Sequence, residues 1–197
     1  MNKFYHTIYP IFWALMKVFL PWRIIGGENI PEEGGVMLCA NHSSLLDPLY
    51  ILCAMGRKRQ LHIMAKAELF SIPVLGWLLR KAGMIPVKRG LADVSAYKES
   101  LRVLRGGERL LIFPEGTRVK EGQTVEAHTG AAVMTMRANA VLLPVFIERK
   151  KRIFRPTRLV FGEPYRPEIK GNKPTPEESR ATTNDLMARI YRMGETV

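Results

Sequence analysis

Residues 41–47, Asn-His-Ser-Ser-Leu-Leu-Asp, are the stretch of this 197-residue chain whose side-chain types could carry chemistry. An unperturbed histidine titrates at roughly pH 6.5, so His42 could take up and release a proton near neutrality. A carboxylate such as Asp47 on one ring nitrogen would fix the tautomer, stabilise the imidazolium and leave the other nitrogen free to act. The pair is typical of a general base and its orienting residue. No nucleophilic side chain is needed if the substrate brings its own hydroxyl.

The elements on either side must bring these two residues together. Residues 36–40 form an apolar run that predicts a buried strand, and residues 48–54 predict a helix. Positions five apart in one helix point about 140° apart, so His42 and Asp47 meet only if His42 precedes the helix. Asp47-Pro48 is also a good helix N-cap followed by a good first-turn residue. These residues alone therefore leave open that Asp47 only caps the helix and that His42 is an ordinary junction residue.

The rest of the chain predicts a single α/β domain. About seven apolar runs of strand length alternate with helical patterns, which favours a mostly parallel central sheet covered by helices. Pro144, within one of these runs, predicts an irregular or edge position.

The first 21 residues predict a separate N-terminal amphipathic helix, ahead of a domain over residues 22–197. Its apolar residues recur at helical spacing. Three interpretations are open for this helix: an interfacial membrane anchor, a helix packed on the domain, or a poor transmembrane helix. Lys17 interrupts the apolar run of this helix. The aromatic residues of the helix, Trp13 among them, favour the membrane interface.

The charge of the chain points to an anionic partner. A formal net charge of +12 suits lipid headgroups, phosphate substrates, an acidic carrier protein or nucleic acid. Residues 149–158 hold six basic residues around Ile153 and Phe154, which fits either a solvated hairpin tip or a surface for an anionic membrane or acidic carrier. Cys39 and Cys53 lie in apolar segments and are expected to be free buried thiols. The four histidines show no zinc-ligand spacing.

Two further stretches could bind a phosphate group. Residues 83–89 end in Lys88-Arg89 after an apolar run, and a guanidinium fits a phosphate as a bidentate fork. Residues 113–118, Phe-Pro-Glu-Gly-Thr-Arg, follow another predicted strand. A turn there can expose backbone N–H groups to an anion that approaches at Gly116. Each stretch alone could equally be a strand followed by basic residues, or an ordinary turn with a surface arginine.

The four stretches together, in this order, resemble the motifs of the glycerolipid acyltransferases, above all the 1-acyl-glycerol-3-phosphate acyltransferases. The resemblance covers roughly residues 23–165. It rests on Asn-His-x4-Asp at 41–47, Gly-to-Arg at 83–89, Phe-Pro-Glu-Gly-Thr-Arg at 113–118 and the apolar-Pro-apolar centre Leu143, Pro144 and Val145. Two departures are Val119, where the family often has serine, and residues 127–131, where many members carry a lysine before the glycine.

The resemblance implies a role for each motif. His42 would be the general base on the acceptor hydroxyl and Asp47 its orienting residue. Phosphate binding would fall to Lys88, Arg89, Glu115, Gly116, Thr117 and Arg118. Glu115 is expected to hold a glycerol hydroxyl or position an arginine, because its charge repels a phosphate. Leu143, Pro144 and Val145 would line the acyl or acceptor site.

The implied reaction is acyl transfer to the sn-2 hydroxyl of lysophosphatidic acid, giving phosphatidic acid. The donor would be an acyl-carrier-protein or coenzyme A thioester as co-substrate, with no bound cofactor, no metal and no covalent enzyme intermediate. The expected location is the cytoplasmic face of the cell membrane, as a peripheral or monotopic protein on an anionic surface. Two alternatives are an acyltransferase with another acceptor, such as glycerol 3-phosphate or another lysolipid, and a non-catalytic basic module that binds membranes or nucleic acid. Nucleic acid is not an expected partner, since no nucleic-acid-binding fold signature is present.

Overall fold

A twisted seven-stranded sheet forms the centre of the protein. The structure, a computed structural model, describes residues 3–57, 60–88 and 93–195. The strands are short and rich in β-branched and leucine residues, as expected for strands covered on both faces. Their bounds are β1 (Trp22–Ile25), β2 (Val36–Ala40), β3 (Leu61–Lys66), β4 (Ile85–Val87), β5 (Arg109–Ile112), β6 (Val141–Ile147) and β7 (Thr157–Phe161).

The strand order is β1-β7-β6-β2-β5-β3-β4, and every neighbouring pair is parallel except β6 and β7. This confirms the predicted single α/β domain with a mostly parallel sheet. Parallel neighbours need crossover connections, which the helices supply. The one antiparallel pair needs only the loop between β6 and β7, which contains the run of basic residues.

Helices cover both faces of the sheet. They are α1 (Lys3–Phe19), α2 (Asp47–Ala54), α3 (Pro73–Lys81), α4 (Val94–Arg105), α5 (Gly130–Ala138) and α6 (Pro176–Glu195). Alternate residues of β2 pack into two separate parts of the core, one on each face of the sheet. Leu38 packs on the side of α1 and α2, whereas Met37 packs on the side of α4, α5 and α6. Cys39 and Cys53 are both buried and free, as expected from the sequence.

Pro144 does not mark an edge, so of the two predicted positions, irregular or edge, the edge position was wrong. It lies inside β6, between β2 and β7, opposite Cys39 of β2. The N and C=O of one strand residue face the same neighbour, and the Pro144 carbonyl accepts a hydrogen bond from Gly162 N at 2.9 Å. The backbone nitrogen of Pro144, which carries no hydrogen, therefore faces β7. It does so beyond Phe161, the last residue of β7 that pairs with β6.

The N-terminal helix both packs on the domain and keeps an exposed apolar face. Tyr9 and Met16 are buried, and the Tyr9 hydroxyl donates to the carbonyl of Cys53 at 2.8 Å. The opposite side of α1 exposes large apolar side chains, namely Ile11, Leu15, Val18 and Phe19. Within the described part of the chain, no helix is both long enough and apolar enough to cross a membrane.

Candidate active site

His42 lies in the loop between β2 and α2, at the carboxyl end of the central strand. Its Nδ1 is 3.0 Å from Oδ2 of Asp47, and its ring stacks on Phe113 with ring centroids 4.1 Å apart. The side chain of His42 is 11% exposed, whereas that of Asp47 is fully buried. Because His42 precedes the helix, the two side chains meet as the spacing required.

Asp47 does not cap the helix. It is the first residue of α2, and its Oδ2 accepts hydrogen bonds from the backbone N–H groups of Ser43 at 2.6 Å and Ser44 at 2.7 Å. The side chain thus reaches back and shapes the loop that carries His42. The carboxylate is bound to the histidine ring and its loop, which is the arrangement of an orienting residue and not of an N-cap.

The other oxygen of Asp47 is paired with a lysine from the β6–β7 loop. The ammonium group of Lys151 contacts Oδ1 of Asp47 and donates to the hydroxyl oxygen of Ser43 at 2.9 Å, and its side chain is only 6% exposed. Burial alone would raise the pKa of Asp47, but the hydrogen bond from His42 and the charge of Lys151 hold that pKa below its usual value. Burial also lowers the pKa of Lys151, while Asp47 opposes the shift.

Glu115 of the Phe-Pro-Glu-Gly-Thr-Arg loop and Val119, the residue after that loop, hold the backbone of His42 on both sides. The His42 N–H donates to Oε2 of Glu115 at 2.7 Å, and its carbonyl accepts from Val119 N at 2.8 Å. The second oxygen of Glu115 accepts the hydroxyl of Tyr191 in α6, and Glu115 is only 2% exposed. Burial, followed by the Glu115 carboxylate, raises the pKa of Tyr191 to about 12, so the phenol remains a proton donor.

The residue before His42 fixes the same loop from the opposite side. Asn41 is fully buried, donates to the carbonyl of Ile147 at 2.9 Å and accepts from the N–H of Ile147 at 2.8 Å. This amide joins the end of β2 to the end of β6. The position of His42 is therefore set by buried hydrogen bonds from several elements, which is the support that a preorganised base requires.

A cavity of about 490 Å³ opens beside His42 at the carboxyl edge of the sheet. Its walls come from β3, β4, α4, β5 and α5 and are largely apolar, with Met64, Val87, Tyr97, Ile112 and Met134 among them. Charged groups line it as well, namely Lys66, Lys88 and Asp93. The cavity can therefore take a molecule with an apolar part and an anionic part.

The predicted phosphate-binding residues other than Glu115 fall into three groups. Lys88 and Gly116 line the cavity, whereas Thr117 and Arg118 are exposed and do not line it. Gly116 has φ of 64°, and a Cβ there would lie 2.6 Å from the ring of His128, so only glycine fits this turn. Arg89 lies outside the described residues.

Two sets of residues that were expected at the substrate site do not line this cavity. Glu115 was expected to hold a glycerol hydroxyl or an arginine, but both its oxygens are bound to His42 and Tyr191 and it does not line the cavity. Leu143, Pro144 and Val145 were expected to line the substrate site, but they are buried inside β6 and do not line this cavity. The apolar walls lie on the other side of β2, toward β3 and β4.

Sequence reasoning missed Lys151, Tyr191 and Phe113 as neighbours of the dyad. Lys151 is one of six basic residues over 149–158, and nothing in that run distinguishes the buried one. Tyr191 lies 76 residues beyond Glu115. Phe113 could have been found, since it directly precedes the Pro-Glu-Gly turn at the end of a predicted strand.

A family profile identifies the class of protein to which this chain belongs. The Acyltransferase family profile matches residues 22–148, and the chain belongs to that family. A 1-acyl-sn-glycerol-3-phosphate acyltransferase of Bacillus subtilis is 30% identical over 187 residues, covering 90% of this chain and 92% of the relative.

A plant relative and a solved structure point the same way. A chloroplastic 1-acyl-sn-glycerol-3-phosphate acyltransferase, LPAT1 of Arabidopsis thaliana, is 30% identical over 149 residues, covering 73% of this chain. This chain spans 41% of the length of that relative. The crystal structure of the 1-acyl-sn-glycerophosphate (LPA) acyltransferase PlsC from Thermotoga maritima is similar, with a TM-score of 0.73 and 25% identity. The match covers 99% of this chain and 80% of that one.

Proposed function

We propose that the protein transfers a fatty acyl group from a thioester to the sn-2 hydroxyl of lysophosphatidic acid, giving phosphatidic acid. The observation that carries the proposal is the His42–Asp47 pair at the wall of a cavity with apolar sides and lysines among its lining. The names of the relatives in Bacillus subtilis and Thermotoga maritima support the choice of acceptor.

The chemistry follows from which nitrogen of His42 is engaged. Asp47 accepts the hydrogen of Nδ1, which leaves Nε2 to take the proton of the acceptor hydroxyl. The hydroxyl oxygen then bonds to the thioester carbonyl carbon, and the carbon–sulfur bond breaks. The imidazolium returns its proton to the departing sulfur. Asp47 stabilises the imidazolium throughout, and every proton and electron pair is accounted for by His42 and the two substrates.

Cationic residues near the cavity suit the phosphate of the acceptor. Lys66 and Lys88 line the cavity, and Lys66 keeps 48% of its side chain exposed beside Glu68. Arg118 follows Gly116 on the surface and would reach a phosphate at the mouth. Arg89 directly follows Lys88 in the sequence and retains its proposed role in phosphate binding.

The thioester donor is proposed to be acyl carrier protein or acyl-coenzyme A. Both are anionic, and the chain carries a net charge of +12. A thioester also brings an apolar chain for the walls formed by Met64, Val87 and Met134.

A membrane-peripheral location is proposed from an exposed apolar patch at the same end of the sheet as the dyad. Phe19 of α1 and Phe154 of the β6–β7 loop are 50% and 66% exposed, and their rings lie 5.9 Å apart. Ile153 is 65% exposed, and Lys151 in the same loop contacts Asp47. An anionic bilayer would receive the apolar side chains and attract the basic residues around them, close to where a lipid acceptor must enter.

The test is an acyl-transfer assay on the purified protein with lysophosphatidic acid, glycerol 3-phosphate and lysophosphatidylcholine as acceptors. Each acceptor is paired in turn with palmitoyl-coenzyme A and palmitoyl-acyl carrier protein. Phosphatidic acid formed by the native protein, and not by the His42→Ala variant, is the expected result. Transfer to another acceptor in preference to lysophosphatidic acid would overturn the assignment of the acceptor.

A further inference from the structure

We propose that Lys151 is a positioning residue that shares the charge of Asp47 with His42 and so weakens the stabilisation of the imidazolium by Asp47. This inference rests on the proposed function of the dyad and deepens it. Its observation is geometric: the two oxygens of one buried carboxylate are divided between the imidazole and an ammonium group.

Burial distinguishes the ammonium group of Lys151 from the other basic residues of its loop. The side chain of Lys151 is 6% exposed, whereas its neighbours Lys150 and Arg152 are exposed. Its Nζ meets both Asp47 and the Ser43 hydroxyl, so it binds the loop that carries His42 at two points. A buried lysine needs such partners, because removing an ammonium group from water is unfavourable.

The effect on His42 follows from Coulomb's law. The negative charge of Asp47 favours the imidazolium, and the positive charge of Lys151 beside the same carboxylate opposes it. With Lys151 present, Asp47 stabilises the imidazolium of His42 less than an unpaired aspartate would. A neutral imidazole is the form that can accept the hydroxyl proton, so Lys151 extends activity toward lower pH.

The other ionisable side chains near the dyad are the same residues in the native protein and in a variant that replaces only Lys151. They come from every element that surrounds it: Tyr50 beside Asp47, Glu115 at the backbone of His42, Glu148 and Arg149 beside Lys151, and Lys66, Lys88, Asp93 and His128 along the cavity. A difference between native and variant protein therefore reports the contribution of Lys151.

The experiment compares Lys151→Met with Lys150→Met, which removes the same charge from the next, exposed residue. Ring proton resonances of the histidines are followed by NMR against pH without substrate, and His42 is assigned from the His42→Ala variant. The titration midpoint of His42 should rise by about one pH unit in Lys151→Met and stay unchanged in Lys150→Met. The acid limb of kcat/KM should move upward by the same amount.

A second variant covers the case in which Lys151→Met does not fold. Lys151→Gln removes the same charge but keeps an amide that can donate to Oδ1 of Asp47, and the same upward shift is expected. Lys151→Arg keeps the charge and should restore a midpoint close to the native one. An unchanged or lowered midpoint of His42 in the neutral variants would overturn the inference and leave Lys151 as a structural counter-ion.

The NMR readout separates this inference from the proposed function. If the protein acylates no lysophosphatidic acid but the His42 midpoint rises in Lys151→Met, the function is wrong and the role of Lys151 stands. If acylation is confirmed and the midpoint does not move, the function stands and the role of Lys151 is wrong.

Discussion

Replacing Glu115 separates a structural role from a substrate-binding one. Its buried carboxylate accepts the N–H of His42 at 2.7 Å and the hydroxyl of Tyr191. In Glu115→Ala both donors lose their acceptor. A buried polar group without a partner costs about 1–3 kcal/mol, so the two together should lower the free energy of unfolding by about 2–6 kcal/mol. That is a large part of the roughly 5–15 kcal/mol that stabilises a typical domain.

Glu115→Gln is the milder change and keeps the enzyme assayable. The amide oxygen can still accept from His42 and the amide nitrogen can donate to the Tyr191 oxygen, so a charged hydrogen bond becomes neutral. The expected loss is about 1 kcal/mol. Tyr191→Phe removes only the donor to the second oxygen and should destabilise by a similar amount.

The assay is urea unfolding followed by linear extrapolation, together with kcat and KM for both substrates. The structural role predicts lowered unfolding midpoints in all three variants and a loss in kcat, because the backbone of the base is no longer held. Unchanged midpoints with a raised KM for lysophosphatidic acid would refute this reasoning and return Glu115 to the substrate site.

Three further predictions concern the dyad, the phosphate and the membrane. Asp47→Asn should lower kcat/KM by about 10²–10⁴-fold, because one amide cannot accept from the His42 loop and face Lys151 as well; a fully active variant would show that Asp47 only shapes the loop and does not assist the base. Arg118→Ala should raise the KM for lysophosphatidic acid more than that for the donor, and Lys should not restore it fully; equal rises would contradict phosphate binding. The double variant Ile153→Ser, Phe154→Ser should co-sediment less with anionic vesicles than native protein does. The control variant Ile169→Ser, changed at another exposed site, should co-sediment as much as native protein. Binding of the double variant equal to that of the control would refute the proposed patch.

Much of the fold could be predicted because local signals agreed with the packing. The run over 36–40 is apolar throughout, as a strand covered on both faces requires, and it forms β2 (Val36–Ala40) as predicted. The edge position predicted from Pro144 was wrong because the rule that places proline at edges assumes that every N–H of a central strand is paired. Here the pairing with β7 stops one residue short of it.

The site was only partly predictable, for a related reason. The His42–Asp47 pair is local in sequence, so its spacing limited the geometry. Glu115, Tyr191 and Lys151 depend on which side chains the sheet order brings together, and residue type alone does not show burial. A glutamate in a turn suggests an exposed ligand group, yet this one is buried because the His42 N–H and the Tyr191 hydroxyl compensate its charge.

The measurement that tests the central claim most directly is phosphatidic acid formation by His42→Ala. The backbone of His42 keeps its bonds to Glu115 and Val119 in that variant, so the loop should remain in place while the base is lost. We expect kcat/KM to fall by at least about 10²-fold with an unchanged circular dichroism spectrum. Turnover close to that of the native protein in a folded variant would show that His42 is not the base.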